Sequence, residues 1–205
     1  MSRRPIGGMS VCLDLLDCVE REPEFFSRVI TGDESWILEY DPETKRQSRE
    51  WRTANSPRPK KARMSKSKIK SMLICFFDSQ EIVHKEFVPP KQTVNQTFYR
   101  EFLERLRKMV ALVRPGIART WILHHDNAPC HTGVSINECL AEKSIPVVRQ
   151  PPYSPDLSPC DFFLFPRLKN HLKGRHFGTL DNIQKSMTNE LKGIPAEAFQ
   201  HCYKQ

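Results

Sequence analysis

"RVITGDESWILEY", residues 28–40, is the stretch that decides the fold. It is rich in β-branched and aromatic residues and apolar on both alternating faces, the pattern of a strand covered on both sides. A strand of that kind needs layers above and below it, and the residues that follow supply them. "IKSMLICFFDSQEIVHKEFV" (69–88) holds two apolar runs around "DSQE" and reads as a hairpin. Val94, Phe98, Phe102, Leu106, Val110 and Val113 then recur at three- to four-residue spacing, which predicts an amphipathic helix over 93–113 that Pro115 and Gly116 stop. "TWILHH" (120–125) is a fourth strand, 132–143 a short helix and "IPVVRQ" (145–150) a fifth strand. "PPYSPDLSPCDFFLFPRLKNHLKG" passes from a proline-rich turn into a helix interrupted or kinked near Pro166. A last helix runs from Asp181 to Leu191, with Ile183, Met187 and Leu191 on one face. The fold class is therefore α/β: a mixed sheet flanked by helices on both faces.

Composition narrows the function classes. The 205 residues are 39% hydrophobic, enough for one domain with a core. No apolar run approaches the roughly 18 residues that span a bilayer, and "MSRRPIGGMS" is basic without a following apolar segment, so neither a membrane partner nor export is expected. Seven cysteines without a C-x-x-C pair suit reduced thiols better than a disulfide framework. The formal charge of +8 is concentrated: residues 41–70 carry eleven Lys and Arg against Asp41, Glu43 and Glu50, which leaves the rest of the chain neutral. So polar a stretch, with Pro57 and Pro59, reads as a long basic loop inserted after the first strand. It is either a solvated excursion or a loop that neutralises nucleic-acid phosphates through Lys45, Arg46, Arg49, Arg52, Lys60, Lys61 and Arg63, or docks on a partner subunit through Trp51. The absence of a basic amphipathic helix favours nucleic acid over a membrane surface.

Three aspartates fall at ends of elements or within the decisive strand: Asp33 in the first strand, Asp126 just past the fourth, and Asp161 at the start of the late helix. If the first and fourth strands are neighbours, Asp33 and Asp126 converge, and Asp161 joins them when its helix packs across the sheet edge. Three convergent carboxylates suit Mg²⁺ or a similar hard cation, and a pair of such ions about 3.5–4 Å apart serves phosphodiester chemistry. Each acid also has a plainer reading. Asp33 could be a turn residue after Gly32, and Asp126 an Asx-turn or cap residue before Pro129. Asp161 could complete a capping box with Ser158 as N-cap and Pro159 at N1. In "HHDNAPCH" (124–131), His124, His125, Cys130 and His131 are zinc-ligand types, but consecutive histidines on a strand point to opposite faces and the paired spacing of structural zinc is missing. Nothing around Cys130 marks it as an activated thiol.

"TGDESW", "HHDNAPCH" and "YSPDLSPCDFFLFP", with 34 residues between Asp126 and Asp161, closely resemble the catalytic signatures of mariner-type transposases of the Tc1/mariner superfamily. The resemblance covers roughly residues 14–205 and implies an RNase H-like fold. It also implies Mg²⁺- or Mn²⁺-dependent DNA cleavage and strand transfer, with Asp33, Asp126 and Asp161 holding two metal ions, and a nuclear site of action. On this reading water is activated to nick DNA at the transposon end, and the freed 3′-OH later attacks a TA target. Asn127 and His125 would shape the loop or contact substrate. Residues 1–27 would be a linker remnant and 28–205 the catalytic domain, with 41–68 resembling the clamp loop through which two subunits form a homodimer. The family's N-terminal pair of helix-turn-helix modules and its "WVPHEL"-like linker have no counterpart in the 32 residues before Asp33, and the chain ends 44 residues past Asp161, short of the usual C-terminus. Two expectations follow: a catalytic domain with metal-dependent nuclease and strand-transfer chemistry, or a non-catalytic remnant that binds DNA weakly or pairs with a full-length transposase.

Overall fold

The central strand forms where the sequence puts it, and everything else is laid against it. The computed structural model describes residues 6–43, 65–148 and 150–204. Helices α1 (Ile6–Arg21) and α2 (Phe25–Arg28) lead into β1 (Val29–Leu38), and the hairpin follows as β2 (Lys70–Phe77) and β3 (Ile82–Val88). Then come α3 (Gln96–Val113), β4 (Ile122–His124), α4 (Pro129–Thr132), α5 (Val134–Glu142) and β5 (Val147–Val148). A π-helical turn at Cys160–Leu164 opens α6 (Phe165–Leu172), which α7 (Leu180–Lys192) and α8 (Ala196–Cys202) follow. The five strands form one sheet in the order β3-β2-β1-β4-β5, antiparallel on the hairpin side of β1 and parallel beyond it.

Alternation along β1 and β2 divides the interior in two. Ile30, Ile74 and Phe76 pack with Tyr99, Phe102 and Leu106 of α3 on one face. Leu73, Cys75 and Phe77 pack with Leu164, Leu168 and Met187 on the other. Period-two alternation into two apolar layers explains why β1 and β2 read as continuously apolar. The hairpin turn is held by Asp78, whose Oδ1 accepts from the N–H groups of Gln80 (2.8 Å) and Glu81 (2.9 Å). Arg114, at the end of α3, clamps the same carboxylate at 2.6 Å and so fixes the helix to the hairpin.

Several expectations are corrected. The helix expected over 132–143 is divided between α4 and α5 around Gly133, and the fifth strand shrinks to two residues. The irregularity expected near Pro166 lies just before it: Pro166 has no N–H to give the Phe162 carbonyl, and the preceding turn widens so that Phe165 N–H reaches Cys160 O. The capping box is not formed, because Asp161 N–H donates to the Ser158 carbonyl (2.9 Å) and no side chain caps the turn. Within the stretch expected to be a linker remnant, residues 6–21 are helical. α8 also went unread; its Phe199 and Cys202 are buried, and the Tyr203 hydroxyl beyond it donates towards the carbonyls of Val29 (3.1 Å) and Phe77 (3.2 Å). The basic-loop residues from Lys45 to Arg63 lie outside the described residues.

Gly32 is set by packing. A Cβ at this position would run into the Phe76 ring on the neighbouring strand, where the two residues are paired. Gly32→Ala is expected to destabilise the chain by about 1–3 kcal/mol in urea titrations, the usual cost of overpacking. The cost should shrink in a Phe76→Leu background; equal costs in both backgrounds would remove the ring as the cause.

Candidate active site

The parallel pairing of β1 and β4 brings two of the acids level. The register aligns Val29 with Ile122, Ile30 with Leu123 and Thr31 with His124, an offset of 93 residues. Asp33 and Asp126 share that offset (126 − 33 = 93): each follows the last pair of the register by two residues, Asp33 within β1 and Asp126 in the loop after β4. Neighbouring strands run about 4.8 Å apart. Thr31 and Asp33 lie on the face of β1 that meets α6, α7 and α8, the face of Ile37. The π turn contributes Asp161 from that side, anchored by the buried flanking side chains of Cys160 and Leu164.

The loop after β4 is built around Asp126. Its Oδ1 accepts from Ala128 N–H (3.0 Å), so the Asx turn foreseen as the plain alternative is formed alongside any further role. The same oxygen accepts from His131 Nδ1 at 2.6 Å, and the other ring nitrogen of His131 lies 3.2 Å from Glu34 Oε1. Glu34, one residue after Asp33 on the strand, points to the opposite face, towards α3 and α4. His131 is 1% exposed, packs at a tilt against Tyr99 (4.1 Å between centroids, 36° between planes) and is stacked on His125 (5.1 Å, 10°). The Tyr99 hydroxyl meets His125 Nδ1 at 2.7 Å, while Thr31 Oγ1 meets His124 Nδ1 at 2.8 Å. The adjacent histidines thus diverge to opposite faces as strand geometry requires. Among the described residues no three His, Cys, Asp or Glu side chains are set closely enough to hold a metal ion, so the zinc alternative has no cluster behind it and the three aspartates stand apart without ligating contact.

Electrostatics distinguishes the acids. Burial first, and then the charges of Glu34, Asp126 and Asp161, push the Asp33 carboxyl up to about 7 against the stabilising Glu34 N–H. Asp126 is held below the usual carboxylate range, first by the His131 hydrogen bond. Burial works against charge on His131, but the hydrogen bonds of Asp126 and Glu34 overcome it and raise the ring to about 9. Burial takes His124 down to about 4 and His125 to about 3, so both are neutral beside a charged His131. The site is therefore an acidic group in mutual repulsion, and among the described residues one buried cation compensates Asp126 and none compensates Asp33. Oxygen-only donors of this kind fit Mg²⁺ or Mn²⁺, which would favour the ionised form of Asp33.

Asn127, expected to shape the loop or touch substrate, donates from Nδ2 to the Gln150 carbonyl (2.5 Å) and ties the loop to the segment after β5. His125 braces Tyr99 and the ring stack. Sequence reading missed Glu34, His131 and Tyr99 as one layer. The only available sign was the H-x(5)-H spacing of His125 and His131 around Asp126, which does not name their partners.

Comparison with known proteins bears on the fold and on the kind of domain. Residues 41–120 match the family model described as transposase (partial DDE domain), a span that lies between Asp33 and Asp126. The chain is similar to the Mariner Mos1 transposase of Drosophila mauritiana, 29% identical over 179 residues, which is 86% of this chain and 51% of that protein. Its structure is similar to that of the Mos1 mariner paired end complex with Mn (TM-score 0.86, 28% identity, 95% of this chain and 56% of that one). The catalytic domain of Mos1 mariner transposase shares the fold (TM-score 0.79, 24% identity, 99% of this chain and 90% of that one). The sheet and its flanking helices have the RNase H-like fold. The chain spans about half the length of that curated relative.

Asp33 makes a measurable cost. Between pH 3.8 and about 7 the folded chain keeps a proton on Asp33 that the unfolded chain has released, so stability falls as pH rises through this window. Asp33→Asn is expected to raise the melting temperature of the metal-free chain at pH 8 by ~2 °C or more, the shift that about 1 kcal/mol produces in a domain of this size. The difference should fade at pH 4, and a variant no more stable than the parent at pH 8 would contradict the burial of an ionisable group there.

Proposed function

We propose that this chain, a mariner-type transposase catalytic domain, cleaves DNA phosphodiester bonds at transposon ends and transfers the freed 3′ end to target DNA. The observation that supports the reading is the parallel register of β1 and β4, which pairs Thr31 with His124 two residues before Asp33 and Asp126, together with the repulsion that Asp33 feels from the charges of Asp126 and Asp161. Asp33, Asp126 and Asp161 would hold divalent cations, Mg²⁺ or Mn²⁺ and two in number. Such ions activate an attacking oxygen and stabilise the leaving one in phosphodiester displacement.

The chain's own residues prepare that site. The register and Gly32 fix the separation of the first two acids. Burial makes Asp33 costly to ionise without a cation, which ties its charge to metal loading. The ring stack under Asp126 keeps the loop after β4 in one arrangement, and the Asn127 bond to Gln150 O holds its other end. By the family resemblance the basic residues Lys45, Arg46, Arg49, Arg52, Lys60, Lys61 and Arg63 supply phosphate contacts or, with Trp51, a homodimer contact. Phosphate contacts of this kind add affinity without sequence information, so a TA target preference would come from elsewhere in the assembly. A DNA substrate implies a nuclear site of action.

The test is nicking of supercoiled plasmid with Mg²⁺ or Mn²⁺, comparing the chain with Asp126→Ala at equal concentration. The expected outcome is metal-dependent nicking that falls at least ~100-fold in the variant, a loss of about 2.7 kcal/mol in transition-state stabilisation. Two folded but inert proteins would instead identify a non-catalytic remnant. Mn²⁺ should also raise the melting temperature of the parent chain by mass action on the folded state, and not that of a variant lacking all three carboxylates.

A further inference from the structure

We propose that His131, braced by Glu34, is the positioning residue that sets which oxygen of Asp126 is offered to metal. The inference rests on the reading of Asp126 as a metal ligand and goes beyond it. Asp126 Oδ1 is already committed twice, to Ala128 N–H at 3.0 Å and to His131 Nδ1 at 2.6 Å. Oδ2 makes no hydrogen bond among the described residues, although the Asp126 side chain is 41% exposed. A carboxylate pinned through one oxygen offers the other, so the bonds to Oδ1 select Oδ2 as the ligand atom.

The pin is itself held from every side. His131 Nε2 faces Glu34 Oε1 at 3.2 Å, which orients the ring so that Nδ1 points at Asp126. Tyr99, tilted against the ring at 4.1 Å between centroids, and His125, stacked on it at 5.1 Å, prevent it from tipping. Glu34 cannot join the metal group directly, because strand alternation turns it to the face opposite Asp33. The chain Glu34–His131–Asp126 therefore connects the α3 face of β1 to a candidate ligand in the loop after β4. Groups that orient a ligand in this way commonly change metal affinity by 10–100-fold when removed.

The experiment is Mn²⁺ binding to the full chain, followed by the loss of the free-ion electron paramagnetic resonance signal, with melting temperatures recorded in parallel. Glu34→Ala and Glu34→Gln remove the same charge, so their difference isolates the hydrogen bond: Gln keeps an acceptor for Nε2–H and Ala does not. His131→Phe keeps the aromatic stack and loses both donors. The expected result is ~10-fold or greater weakening of Mn²⁺ binding in Glu34→Ala and His131→Phe, with Glu34→Gln at least ~3-fold tighter than Glu34→Ala. Unchanged Mn²⁺ affinity in folded Glu34→Ala and His131→Phe would overturn the positioning role while leaving the metal site intact. A parent chain that binds no Mn²⁺ would overturn the metal-ligand reading, and this inference with it.

Discussion

The parallel register between β1 and β4 is the constraint on which the rest of the structure depends. One offset aligns the apolar residues Ile30 and Leu123 in the core and the polar pair Thr31 and His124 on the other face, two residues before Asp33 and Asp126. A slip of one residue would exchange the faces to which His124 and His125 point and break the bonds each makes there. Core packing therefore fixes the acid pair: Ile30 and Leu123 are fully buried, and both would have to leave the apolar layer for the acids to separate. Gly32 serves the same register from the other side, since only a residue without a Cβ lets the Phe76 ring lie over β1.

Concentrating acids in the middle of a covered sheet has an electrostatic cost, and the fold handles it unevenly. Asp126 is compensated by a buried histidine that two carboxylates keep charged. Asp33 has a backbone N–H from Glu34 and, among the described residues, no cation, and remains protonated close to neutrality. Among these groups, the stabilising contact and the uncompensated burial lie on opposite faces of one strand. Stability is thus given up where a cation would act and recovered in the Tyr99, His125 and His131 stack beneath, the pattern expected where local structure serves chemistry over rigidity.

Much of this was legible in the sequence, for identifiable reasons. β1, the hairpin and α3 carry strong period-two or helical apolar patterns over many residues, and their edges fall within a few residues of expectation. The opposite orientation of His124 and His125 followed from strand geometry alone. The three aspartates were visible through their motifs, but their mutual placement required a strand pairing across more than ninety residues. Glu34, His131 and Tyr99 were not legible as a unit, because they come from β1, α4 and α3 and meet only in the folded chain. The π turn and the two-residue β5 are too short to leave a periodic trace. α8 is seven residues long and its apolar positions are few, so its burial beside Phe77 depended on tertiary packing.

The most direct test of the central claim is the anomalous scattering of Mn²⁺ in crystals of this chain grown near neutral pH. The account predicts density bounded by Asp33, Asp126 and Asp161, with Asp126 contributing the oxygen that does not face His131. Density elsewhere, or none at Mn²⁺ concentrations that saturate a carboxylate site, would contradict it.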